Sequence, residues 1–281
     1  MIQPIDFSRN GCGSSNPLPT KSSDGALEHV SVSAIKDYLQ CSLRYYYKRI
    51  EKIPEPASTN LLLGRCVHAG IEKFHRGRWR GESHDIKTVV DEYRLVFDEE
   101  ESKSPLDFKE GQREILVEKG ESLIRAYMDS DHAKMPDIPL GVEVMLKEDF
   151  PQLPSPLLGY VDLVRQGNIP VDYKTIGGTP NIELESFQHD LQLTGYQLMI
   201  EQATGEEVKG RELVFLVKAK TPRVIVHRLP PADEIAKARF WGMATAMLEG
   251  VYYERWVPQQ GMHCAWCPYR QQCSQWTGGV S

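Results

Sequence analysis

No apolar run in this chain approaches the roughly 18 residues that a membrane-spanning helix requires, so no membrane partner is expected. The opening stretch, MIQPIDFSRNGCGSSNPLPTKSSDG, lacks the basic start and apolar core of a secretory signal. A cytoplasmic location is the resulting expectation. Cysteine is sparse, with six in 281 residues. In a reducing compartment such cysteines read as ligands or free thiols before disulfides. Excess positive charge is missing too. The 33 Lys and Arg stand against 39 Asp and Glu, a net charge of −6, which argues against a general nucleic-acid coating protein, a class that is basic overall. A site that binds divalent metals must concentrate carboxylates, so the acidic balance leaves that chemistry open. No internal repeat is visible.

What is present is the composition of an ordinary globular protein, 41% hydrophobic and 26% charged. Residues 1–28 are rich in Ser, Gly, Pro and Asn and read as a flexible tail. Ser31 or Ser33 can cap a helix running to about Arg49, which the Pro54–Pro56 stretch ends. Further helices are expected over about 59–75, 85–101 and 109–130, then a strand over about 141–150. LLGYVDLVRQGNIPVDYKTI reads as a hairpin, two apolar runs about a turn at Gln166-Gly167-Asn168. A helix at about 183–203, strands at about 211–219 and 223–229, and a helix at about 231–255 precede a cysteine-rich C-terminal stretch. This order predicts an α/β fold, a mixed central sheet flanked by helices. Two basic stretches, around Lys36 to Lys52 and Arg65 to Arg80, read as solvated helix faces.

The informative stretch pairs Asp162 on one hairpin arm with Asp172-Tyr173-Lys174 on the other. Strand side chains alternate, so Asp172 and Lys174 share a face. A hairpin symmetric about Gly167 sets Asp162 opposite Asp172. Two carboxylates and a lysine on one sheet face can hold Mg2+ or Mn2+, which takes oxygen ligands, activates water and neutralises charge growing on a phosphate. The ammonium would orient that water or stabilise the transition state. The plain alternative is a surface cross-strand ion pair, worth under about 1 kcal/mol. Glu143 on the preceding strand can supply another oxygen, and so can the Tyr173 carbonyl. His68 lies four residues after Gly64 on one helix face, where a small residue allows close approach. Gln192 and Tyr196 are likewise four apart on a helix.

The ordered set G-x-x-x-H (Gly64 to His68), G-Y-V-D (Gly159 to Asp162), V-D-Y-K-T (Val171 to Thr175) and Q-L-x-x-Y (Gln192 to Tyr196) resembles the motifs of RecB-like nucleases in the PD-(D/E)XK superfamily. The resemblance implies a restriction-endonuclease-like fold, with 59–230 as the nuclease core of one domain over 29–281. It implies His68, Asp162 and Asp172 as metal ligands, Lys174 as the catalytic lysine, and Gln192 and Tyr196 as residues that position the strand or the lysine. Val161 stands where the family has a proline. The implied activity is metal-dependent hydrolysis of DNA, leaving a 5′-phosphate, with exonuclease action on single-stranded ends and a 5′ to 3′ direction as the first expectation. An integrase, helicase or recombinase is the kind of partner the resemblance suggests, in phage or bacterial recombination and repair or in CRISPR spacer capture. The rival of another class is a silent DNA-end-binding module; against it, Asp162, Asp172 and Lys174 are all present.

Cys264-x2-Cys267-x5-Cys273 is a soft-metal arrangement, since thiolates close in sequence can wrap one centre. The candidate fourth ligand is Cys41. Its surroundings, Tyr38-Leu39-Gln40-Cys41-Ser42-Leu43-Arg44-Tyr45, resemble the Y-x-x-C-P-x-x-[FY] segment of cluster-bearing members of the family, with Ser42 in place of the proline. The resemblance implies a 4Fe-4S cluster that clasps 31–55 to 256–276. Four thiolates also suit zinc, and spacing does not separate the two. Cys66 and Cys12 read as bystanders.

Overall fold

A computed structural model describes residues 27–103, 106 and 108–278. The expected tail, apart from its last two residues, lies outside the described residues, as does Cys12. A two-residue strand β1 (Val30–Ser31) leads into α1 (Val32–Gln40), which the Ser31 hydroxyl caps by accepting the Ala34 N–H. The single helix expected to about Arg49 is instead broken at Cys41. That residue is extended, with φ −167° and ψ 107°, and its thiol caps α2 (Ser42–Tyr45) by accepting the Arg44 N–H at 3.4 Å. A wide turn, Tyr46–Ile50, follows.

Three helices come next, α3 (Thr59–Arg80), α4 (Ile86–Lys103) and α5 (Gln112–Asp129). Helix α3 runs five residues past its expected end and stops at Gly81, whose φ of 75° suits a C-terminal cap. Then follow β2 (Gly141–Glu148), β3 (Leu157–Arg165), β4 (Ile169–Ile176), α6 (Ile182–Thr204), β5 (Arg211–Val217), β6 (Arg223–Leu229), α7 (Glu234–Tyr252) and α8 (Arg270–Ser274). Among the described residues no helix is long and apolar enough to cross a membrane.

The six strands form one mixed sheet in the order β1-β3-β4-β5-β6, with β2 paired to β3. β4 and β5 are parallel, and β5 is buried along its whole length, as a continuous apolar run in a parallel pair should be. Its side chains split by alternation. Leu213, Phe215 and Val217 join a core with α1, α6 and α7, while Val214 and Leu216 join a second core with α3, α4 and α5. The sheet is thus covered by helices on both faces, the α/β architecture expected from the order of elements.

The hairpin is where the fold makes room for a site. β3 and β4 pair only near their turn, Leu163 with Val171, Val164 with Pro170 and Arg165 with Ile169. That register continues to Asp162 facing Asp172, the symmetry about Gly167 expected from the sequence. There the ladder stops. In its place the Tyr173 N–H donates to the Asp162 carboxylate at 2.7 Å.

The two ends of the described chain are stitched together by hydrogen bonds and aromatic packing. Ser42 Oγ donates to the Val257 carbonyl at 3.1 Å and accepts the Val257 N–H at 2.9 Å, and the Ser42 N–H donates to Gln259 Oε1 at 2.6 Å. A proline at 42 could supply none of these. Tyr47 Oη donates to the Gln272 carbonyl and Tyr269 Oη to that of Ile53, while Tyr38, Tyr45 and Tyr46 pack around Trp256.

Candidate active site and cysteine cluster

Helices from both layers reach the opening between β3 and β4. From one side, α3 delivers His68, whose Nδ1 lies 3.6 Å from Asp162 Oδ1. Glu143 approaches from β2. His68, Glu143 and Asp162 each offer a donor atom within 4.8 Å of the others. Gly64 plays a different part from the one its size suggests. A Cβ there would meet nothing within 4 Å, so it borders open space and is not a packing contact. Gly159 is the close-approach residue, since a Cβ on it would lie 2.3 Å from Met199 Cε and 3.3 Å from Tyr196. Its bareness lets α6 lie down on β3.

From the other layer α6 delivers Gln192 and Tyr196. Gln192 Nε2 donates to Asp172 Oδ1 at 2.8 Å and to Tyr196 Oη at 2.7 Å, and its Oε1 accepts from Lys174 Nζ at 3.3 Å. Lys174 Nζ lies 2.7 Å from Asp172 Oδ2. The residues singled out in the sequence thus gather in two adjoining halves: a compact trio of His68, Glu143 and Asp162, and a polar lattice of Asp172, Lys174, Gln192 and Tyr196. Asp172 belongs to the second half and lies outside the compact trio. Tyr173 joins the halves through its N–H to Asp162.

The electrostatics of the two halves are coupled through their carboxylates. Burial works against the charged form of His68, but the Asp162 carboxylate overrides it and raises the imidazole to about 9. Asp162 is likewise penalised by burial, yet His68, Lys174 and the Tyr173 N–H hold it below the usual carboxylate range. Glu143 is pushed up by burial and by the charges of Asp162 and Glu72, and Asp172 is raised by burial against the pull of Lys174. Three carboxylates so placed cannot all ionise cheaply without added positive charge.

Two further groups border the lattice and escaped the sequence reading. Lys36 on α1, read there as part of a solvated face, is exposed as that reading expected, and desolvation and Lys174 hold it below its ordinary pKa against the pull of Asp172, Asp37 and Glu185. His189, three residues before Gln192, is pushed down to about 3 by burial, Lys174 and Lys36, and its Nε2 lies 3.4 Å from Glu185. The helical spacing His189 to Gln192 is the one signal that could have pointed to it.

The four cysteines converge at the stitched ends. Cys41 is buried, and Cys264, Cys267 and Cys273 are half-buried free thiols. Burial raises the Cys273 thiol, and the thiols of Cys41, Cys267 and Cys264 raise it further, which places all four in one electrostatic neighbourhood. Among the described residues the compact donor group is that of His68, Glu143 and Asp162. Cys66 stands apart, fully buried in the second core with its thiol raised by burial to about 12.

In comparison with known proteins, the family model described as the PD-(D/E)XK nuclease superfamily matches residues 29–274. No curated protein matches the chain in sequence. Among solved structures, a "Putative exonuclease" from Eubacterium rectale superposes with a TM-score of 0.60 at 17% identity, covering 88% of each chain. An alkaline exonuclease from Laribacter hongkongensis gives a TM-score of 0.32 at 13% identity, over 60% of this chain and 78% of its own. The first of these shows a shared fold.

Proposed function

The chain belongs to the PD-(D/E)XK nuclease superfamily, and on that premise we propose that it is a RecB-like deoxyribonuclease that hydrolyses phosphodiester bonds with Mg2+ or Mn2+, acting as an exonuclease on single-stranded ends. The observation that carries this is the junction of the His68, Glu143 and Asp162 trio with the Asp172, Lys174, Gln192 and Tyr196 lattice across one strand opening.

His68, Glu143, Asp162 and Asp172 would hold the cation, with the Tyr173 carbonyl beside them. Bound there, the ion supplies Lewis acidity, lowering the pKa of a water and neutralising phosphate charge. The rest falls to the protein's own groups. Lys174 offers a positive charge and donors to the attacking water or to the phosphate oxygens. Gln192 fixes that ammonium through its Oε1 while its Nε2 fixes Asp172, so one side chain sets the spacing of the two. Tyr196 holds Gln192 in turn.

The cysteine set is proposed to hold a 4Fe-4S cluster through Cys41, Cys264, Cys267 and Cys273. The donor chemistry fits, four free thiols at one junction. Four thiolates also suit a tetrahedral zinc site, which is the second reading. Iron, sulfide and zinc analysis of anaerobically purified protein decides between them. An integrase, helicase or recombinase is the proposed class of protein partner, tested by co-purification.

The decisive assay incubates the protein with end-labelled single- and double-stranded DNA in Mn2+ or EDTA, beside Asp172→Ala and Lys174→Ala. Metal-dependent cleavage lost in both variants supports the proposal, and the label pattern gives the direction. Undiminished cleavage by Asp172→Ala would overturn the site assignment. Tight DNA binding without cleavage would favour the silent end-binding module.

A further inference from the structure

Tyr173 lies between Asp172 and Lys174 on β4, and strand alternation sends its side chain to the opposite face of the sheet. There its phenol enters a buried polar chain drawn from three other elements. Tyr173 Oη lies 2.7 Å from Tyr127 Oη on α5 and 3.2 Å from His75 Nε2 on α3. His75 Nε2 and Tyr127 Oη are themselves 2.5 Å apart. Tyr127 Oη then meets His132 Nδ1 at 3.2 Å, and His132 Nε2 meets Glu212 Oε2 on β5 at 3.0 Å. Glu212 is pinned by Arg165 at 2.9 Å, and Arg165 by Asp137 at 3.0 Å. Each of Tyr173, Tyr127, His75, His132 and Glu212 is at most 4% exposed.

A purely structural core has no need of this. Apolar side chains of the same volume avoid the desolvation cost that two imidazoles, two phenols and a carboxylate incur, a cost raised here by His75 Nδ1, which is buried without a hydrogen-bond partner. What the chain adds is direction. It attaches β4 from behind at the one residue whose peptide N–H sets the Asp162 carboxylate and whose neighbours are Asp172 and Lys174. The β3–β4 ladder has already ended there, so the segment is paired along its β5 edge, while towards β3 the Asp162 carboxylate takes the place of a strand partner.

We infer that His75, Tyr127 and His132 are positioning residues of the candidate active site, holding the Tyr173 phenol so that the 172–174 segment presents Asp172, Lys174 and the Asp162-binding N–H at fixed separations. This rests on the nuclease reading for its activity arm, and on metal binding alone for its other arm. The groups that support metal ligands from behind are worth about 10- to 100-fold in affinity or rate when removed.

The test compares Tyr173→Phe and Tyr127→Phe, which keep the ring and remove one hydroxyl each, with Tyr93→Phe. The Tyr93 hydroxyl donates to the Leu116 carbonyl at 3.3 Å in the same core and is not a member of the polar chain. Thermal stability, Mn2+ affinity without DNA, and kcat and KM for DNA are measured for each. The expected result is a loss of about tenfold or more in Mn2+ affinity and kcat for the first two, with KM little changed. Tyr93→Phe should lose stability alone. Unaltered Mn2+ affinity and kcat in Tyr173→Phe, with a fall in Tm like that of Tyr93→Phe, would overturn the inference. A wild-type protein that binds Mn2+ and cuts no nucleic acid would overturn the nuclease reading instead, and the affinity comparison would still decide the positioning role.

Discussion

Glu143 sits inside an eight-residue strand with a backbone φ of 49°, a left-handed conformation that costs an L-residue about 1 to 2 kcal/mol. Its carboxylate is also raised by burial and by Asp162. Strain and charge repulsion meet at one residue that offers an atom to the compact donor trio. Glu143→Gly is therefore expected to raise Tm in metal-free protein while weakening Mn2+ binding. Differential scanning calorimetry and metal titration of the two proteins check both halves. Lys36 belongs to the same scale. If it contacts one backbone phosphate, Lys36→Ala should flatten the slope of log affinity for single-stranded DNA against log salt by about 0.7. An unchanged slope would remove it from the DNA path. The sequence made Asp162, Asp172 and Lys174 legible because strand alternation and a symmetric turn are local rules. Lys36 stayed hidden because the groups that give it meaning, on β4 and α6, are brought to it by tertiary packing alone.

At the scale of elements, the hairpin was readable to its register and the long helices to within a few residues, since both follow hydrophobic periodicity and turn chemistry. The break between α1 and α2 was not. Nothing in the local pattern stops a helix at Cys41; what stops it is the segment 255–259, which takes the hydrogen bonds of residues 42 and 43. β1 was missed for a similar reason, as its pairing with Leu157 and Leu158 on β3 is long-range. Ser42 illustrates what the break achieves, for it binds the C-terminal segment through both backbone and side chain. Ser42→Pro removes an N–H donor and the hydroxyl together, and it is expected to lower Tm and to speed proteolysis after residue 255, while metal-free binding of DNA at the β3–β4 opening persists. Ser42→Ala, which keeps the N–H, should fall between the two.

Over the whole molecule, stability should follow the ionisation of groups the core has enclosed. Glu212 is 3% exposed. Burial disfavours its charge, but His132 and Arg165 more than compensate and bring it down to about 2. A carboxylate depressed on folding stabilises the native state above its unfolded pKa and loses that contribution as pH falls towards the folded value. The window here runs from about 4.5 down to about 2, and the shift is worth about 3 kcal/mol. Urea melts at pH 6 and pH 3 should differ by more in the wild type than in Glu212→Gln, which lacks the titrating group. An equal difference in both would assign acid sensitivity to other carboxylates.

The stitching of residues 42–53 to 255–272 has a consequence for how the chain is made. Contacts separated by more than 200 positions close late, because each long loop must be formed before the bonds that reward it. During synthesis Tyr38, Tyr45 and Tyr46 emerge early, and Trp256, the ring they surround, is polymerised only after the whole sheet. Until then that aromatic surface lacks the cover of Trp256, the kind of transient apolar exposure that makes a nascent chain prone to aggregate. The proposed cluster draws ligands from both segments, so it would load only after they have met.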